Sequence, residues 1–189
     1  MEKKQNISTK RIVTAALMAA LVAVGSALRI TLPLDVGGNT SFHLGNIFCA
    51  LSGILLGPWV GGLAAGLGSA IYDMFNPLYI DEAWITFITK GAYGMAAGTV
   101  AYVGANGWGY ARATAATVAG ALVYALLYLA KSFFYGGMLK QGLAAAAAWI
   151  VVIEKLPATV FNAAVAILFA PLLATAIRTA LKKNHLTLE

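Results

Sequence analysis

Charge is scarce in this chain: only 11% of its 189 residues are Asp, Glu, Lys or Arg, against about 25% in ordinary soluble domains. Cysteine occurs once, as Cys49, so no internal disulfide can form and the redox compartment stays unread. Histidine occurs only as His43 and His185, which gives no cluster with zinc-ligand spacing. The run G-x-x-x-x-G-K-[ST] is missing, and with it a phosphate-cradling loop of that type. A G-x-S-x-G nucleophile elbow is missing too. Covalent and metal catalysis are therefore poorly supported, with Asp73 and His43 the main polar groups left for such chemistry. No catalytic residue, metal ligand or cofactor is expected in the chain.

What fills the sequence is apolar: 60% hydrophobic residues and a mean hydropathy of +0.79. A soluble core of this size cannot hold them all, so most of the chain belongs in a membrane. The net charge of +6 does not point to nucleic acid, because the cations collect at the ends. Lys3, Lys4, Lys10 and Arg11 precede the first apolar run, and Arg178, Lys182 and Lys183 follow the last. Basic flanks of that kind mark the cytoplasmic side of membrane segments. The start resembles a signal peptide, but with several spans downstream a retained first helix is the expectation.

Roughly 20 apolar residues cross a bilayer as helix, fewer where neighbours shorten the path. On that measure the expectation is an all-α polytopic membrane protein. It has one domain over 1–189 and six spans, at about 11–29, 43–57, 59–76, 84–104, 112–135 and 156–180. Pro33 with Gly37 and Gly38 reads as an irregular loop, and Gly57-Pro58 as a tight turn. Asn76-Pro77 ends the third helix. Gly104, Gly107 and Gly109 open the fourth connection, and Gly136-Gly137 closes the fifth helix. Pro157 fits a first helical turn, where its missing N–H is tolerated. The stretch GLAAAAAWIVVIEK fits either a short external helix or an extension of the last span. Six spans put both termini in the cytoplasm and the 30–42, 77–83 and 136–155 loops outside.

Small residues recur every fourth position: Ala15, Ala19, Ala23 and Ala27, then Gly53, Gly57 and Gly61, with Gly62–Gly66 and Gly94–Gly98 beyond. Such spacing lets helix backbones approach closely. For the glycines, packing inside the bundle is the preferred reading. The longer alanine stripe fits either internal packing or a helix of another subunit.

Polar residues interrupt the apolar helices at matching depths. His43 and Asn46 belong to the second segment, Ser69, Asp73 and Asn76 to the third. Thr86, Lys90 and Tyr93 share one face of the fourth, and Tyr124, Tyr128, Lys131 and Tyr135 one face of the fifth. Lys155, Thr159 and Asn162 lie at i, i+4 and i+7 on the sixth. All but Tyr93 and Tyr124 fall in the outward half of their helix. Taken alone, Lys90 fits a snorkelling lysine as well as a pocket, since its stem can cover the ~9 Å to the helix start. Asp73 fits a structural partner that neutralises one lysine. Convergence of tyrosines and amides at the lysines' level favours a pocket for a small, flat, polar molecule, with Trp84 among its expected substrate-binding residues.

These residues carry a resemblance over nearly the whole chain. "FHLGNIFCALSGILLGPWVGGLAAGLGSAIYDMFNP" followed by "TFITKGAYGMAAG" resembles the substrate-binding S-components of energy-coupling factor (ECF) vitamin transporters. The resemblance implies six membrane helices in a prokaryotic plasma membrane and a pocket near the outer face. It implies a gate over that pocket at ITLPLDVGGNTS. It also implies a transmembrane coupling subunit, two ATPase subunits and a vitamin substrate as partners, with Ala15, Ala19 and Ala23 as the docking surface. Among vitamins, the pattern looks nearest to the branch taking B6-like or pyrimidine-precursor ligands; riboflavin, pantothenate and cobalamin are other substrates of such systems. An autonomous secondary transporter or channel using Asp73, Glu154 and the lysines is the competing reading.

Overall fold

The computed structural model describes residues 8–36, 38–103 and 109–184. Lys3, Lys4, Gly37, the 104–108 connection and His185 lie outside the described residues. The described residues form six α-helices: α1 (Thr9–Ala27), α2 (Gly45–Leu56), α3 (Pro58–Met74), α4 (Ala83–Tyr102), α5 (Tyr110–Lys131) and α6 (Ala145–Lys183). Two short strands, β1 (Arg29–Pro33) and β2 (Asn39–His43), stand between α1 and α2. A 3-10 turn, Ile80–Glu82, precedes α4, and a π-helical segment, Ser132–Lys140, continues α5. Among the described residues, three helical stretches are long and apolar enough to cross a membrane: Thr9–Ala27, Tyr110–Lys140 and Ala145–Lys183.

α2 is the centre of the bundle. It is apolar on all sides, and every residue but Phe48 is buried, as expected for a helix surrounded by others. Its 12 residues reach only about 18 Å. Gly57, at φ 81°, makes the turn from α2, and Pro58 opens α3. α3 then lies against α4 along a glycine seam. A Cβ on Gly66 would stand 2.7 Å from the Phe87 carbonyl oxygen, and one on Gly94 2.9 Å from that of Gly61. The small-residue spacing of these helices thus serves packing within the chain.

Three expectations need correction. The 30–42 region is not an irregular loop: Arg29 pairs with His43 and Thr31 with Ser41 in an antiparallel hairpin, and the Thr31 and Ser41 hydroxyls meet at 3.1 Å. The β-branched and aromatic residues there suit strands, and Pro33 sits at the strand end. His43 therefore belongs to β2 rather than to a helix. Second, Gly136-Gly137 does not end the fifth helix; the π-helical segment runs through both. Gly137 instead lets Ala148 come close, since a Cβ there would be 2.9 Å from that side chain. Third, α6 starts at Ala145 rather than near 156, so of the two readings of GLAAAAAWIVVIEK the extension of the last helix holds, and Pro157 lies in the helix interior rather than in its first turn. A spanning helix tolerates such a proline where neighbours and local adjustments accommodate the freed backbone group.

Candidate binding cavity

A cavity of about 720 Å³, counting its open mouth, lies where the hairpin meets α3, α4, α5 and α6. Only Ile85 and Ala158 in its lining are aliphatic. The rest are hydroxyl, amide, charged or aromatic side chains.

One wall is a tyrosine ladder. Tyr93 and Tyr124 stack at 5.8 Å and 25°, and Tyr124 and Tyr128 at 5.5 Å and 23°. Spacing of about one turn on α5 puts Tyr124 and Tyr128 on the same face, and both line the cavity. Cations sit against this ladder: Lys90 Nζ is 3.9 Å from the Tyr124 ring centre, Lys131 Nζ 5.5 Å and Lys155 Nζ 5.9 Å from that of Tyr128. Ring quadrupoles attract such cations without neutralising them.

Two of the lining cations are neutralised by carboxylates. Arg29 lies 3.8 Å from Asp73 and also over the rings of Tyr72 and Tyr79, at 4.1 and 4.8 Å. Lys131 pairs with Glu82. Lys90 is different. It is 4% exposed, so it does not snorkel. It donates to Asn46 Oδ1 and joins no ion pair among the described residues. Asp73 thus serves an arginine rather than a lysine.

The hairpin is clasped to the bundle by Asn162 of α6. Its Oδ1 accepts the His43 N–H at 2.9 Å and its Nδ2 donates to the Ser41 carbonyl at 2.8 Å. The amide thereby pairs with the free edge of β2 as another strand would. Ser41 Oγ meets Tyr79 Oη at 2.7 Å, and the Val36 N–H reaches the Glu154 carboxylate at 3.3 Å. Burial holds the His43 imidazole well below its usual pKa, and the Lys90 and Arg29 charges push it the same way. A neutral ring agrees with Nδ1 accepting the Gly45 N–H at 3.1 Å, which leaves the proton on Nε2. Asn162→Leu removes both bonds of the clasp. We expect it to raise ligand dissociation rates about tenfold, on about 1 kcal/mol per lost bond with partial replacement by water. Stopped-flow release measures this, and an unchanged rate would show that the clasp does not hold the cavity closed.

Comparison with known proteins places the chain. A family model described as ECF-type riboflavin transporter, S component, matches residues 6–179. The chain belongs to that family. It is also 31% identical over 118 residues to a Pyrococcus woesei protein described as an uncharacterized protein in gap 3'region. That match covers 62% of this chain and 74% of the relative. An S-component is a membrane-embedded, substrate-binding subunit of a vitamin-type transporter, not an enzyme, and works in general with coupling and ATPase subunits.

In this S-component, seven residues expected at the pocket line the cavity: His43, Asp73, Lys90, Tyr128, Lys131, Thr159 and Asn162. Asn46 stands behind Lys90, and Lys155, 5% exposed, lies beside Tyr128 outside the lining. Trp84 and Tyr135 are not brought to it. Trp84 is 60% exposed and meets Tyr135 edge-on at 6.2 Å. Arg29, Thr40, Ser41, Tyr79 and Glu82 line the cavity without having been singled out. Arg29, a lone cation just after the C-terminal end of an apolar helix, was the available signal. Of the alanine stripe, Ala15 and Ala19 are half-buried against the protein's own core, and Ala23 is half-buried too. Ala16 and Ala20 occupy the exposed side of α1, with Val13, Leu17 and Val24.

Proposed function

We propose that this chain crosses the membrane six times with both termini in the cytoplasm, captures a small heteroaromatic vitamin or precursor from outside, and delivers it inward with a coupling subunit and two ATPases. The observation that carries this reading is the cavity: a tyrosine ladder for a flat ring, polar groups on nearly every other side, and a lining lysine, Lys90, that joins no ion pair among the described residues. Scarcity of aliphatic lining favours a single polar ring of the B6 or pyrimidine-precursor kind, because a larger ring system with apolar edges needs an apolar slot. Riboflavin is the second reading, favoured by the description of the matching family. Docking of the coupling subunit is assigned to α1, on the outward side that carries Ala16 and Ala20 beside the half-buried stripe.

Titrating the purified chain with pyridoxine, a 4-aminopyrimidine alcohol and riboflavin separates these readings. Tight binding of a single ring supports the first, and tight binding of riboflavin alone supports the second. In proteoliposomes the chain alone should move none of them. Substrate flux without any ATPase would overturn the subunit assignment in favour of an autonomous transporter.

A further inference from the structure

We propose that Asn46 is a positioning residue that holds Lys90 in place without neutralising it, so that the cavity selects rings bearing a carboxylate. The inference rests on the single-ring reading above and names the chemistry that the ligand brings.

An ammonium can only donate hydrogen bonds. Lys90 therefore fixes the Asn46 side chain with Oδ1 towards it, which turns Nδ2 away. Among the described residues Nδ2 finds no partner, in a side chain only 1% exposed. A buried donor left unpaired is unfavourable. A carboxylate of the same shape at position 46 would avoid that and pair with Lys90 as an ion. The amide does the opposite: it anchors the ammonium and leaves its charge intact.

Nor, among the described residues, is Lys90 paired with a carboxylate. Arg29 has Asp73 and Lys131 has Glu82, whereas Lys90 has an amide and the face of Tyr124. Lys90 lines the cavity and Asn46 does not, so the open side of the ammonium is the side a ligand can reach. With Lys90 only 4% exposed, an anionic oxygen placed there forms a charge-assisted bond about twice as strong as a neutral one.

The test compares 4-pyridoxate with pyridoxine, one ring differing by a carboxylate in place of a hydroxymethyl group, by calorimetric titration of the full chain in nanodiscs. Native protein should favour the carboxylate at least tenfold, and Asn46→Asp should cut that preference at least tenfold. A merely structural role for Asn46 would weaken both ligands alike and leave the ratio unmoved. Should Asn46→Asp not fold, Lys90→Gln decides by the same ratio. Native protein without the preference, or a variant that retains it, overturns this proposal and leaves the single-ring reading standing. Binding of neither ring overturns both.

Discussion

Alanine at position 90 is expected to weaken binding of 4-pyridoxate by about 30- to 150-fold while the protein still folds and inserts. A hydrogen bond to a charged group is worth about 2–3 kcal/mol when it forms in a desolvated site, which sets that range. Folding should survive because two effects oppose each other. Lys90 is a cation that burial strips of water, and removing it relieves that unfavourable desolvation. Against this, Asn46 Oδ1 loses its partner, at about 1–3 kcal/mol. Titration alongside a thermal melt separates the two readouts. An affinity equal to that of the native protein would make Lys90 a structural lysine and remove it from the site.

Why Lys90 was legible in the sequence while Arg29 was not is a matter of contrast. A lysine six residues into an apolar helix stands out, and the tyrosines and Asn162 at its level are visible by helical spacing alone. Arg29 follows an apolar helix directly, where a terminal cation is ordinary. Its role depends on the hairpin folding back to bring Tyr72, Tyr79 and Asp73 around it, and strand pairing across a five-residue connection leaves only a weak local signal. Helix existence was readable from hydropathy, and the Gly57-Pro58 turn and the end of α3 before Pro77 from their residues, but the start of α6 was not. Pro157 reads locally as a start, yet α6 already has three turns before it, because neighbouring helices can absorb one missing bond. Trp84 lies about one and two-thirds turns from Lys90 on α4, which carries it round to the exposed side.

Glycine at position 53 carries the second large effect, and it acts on the fold first. A Cβ there would run into the Gly94 carbonyl oxygen and stand 2.9 Å from the Gly98 nitrogen. These are backbone atoms of α4, so no rotamer can yield, and the two helices must separate. Gly53→Leu should therefore destabilise by about 3 kcal/mol, the upper end for overpacking, and lower the melting temperature by about 6–12 °C. Gly109→Ala is the control, since among the described residues nothing lies within 4 Å of a Cβ at that position, and it should melt close to the native protein. Binding should fall with Gly53→Leu even in the fraction that folds. Asn46 rides on α2 and Lys90 on α4, so the seam that Gly53 keeps closed also sets the reach of the ammonium into the cavity. A Gly53→Leu protein with native stability and native affinity would mean that α2 and α4 do not meet backbone to backbone, and the placement of Lys90 would lose its support.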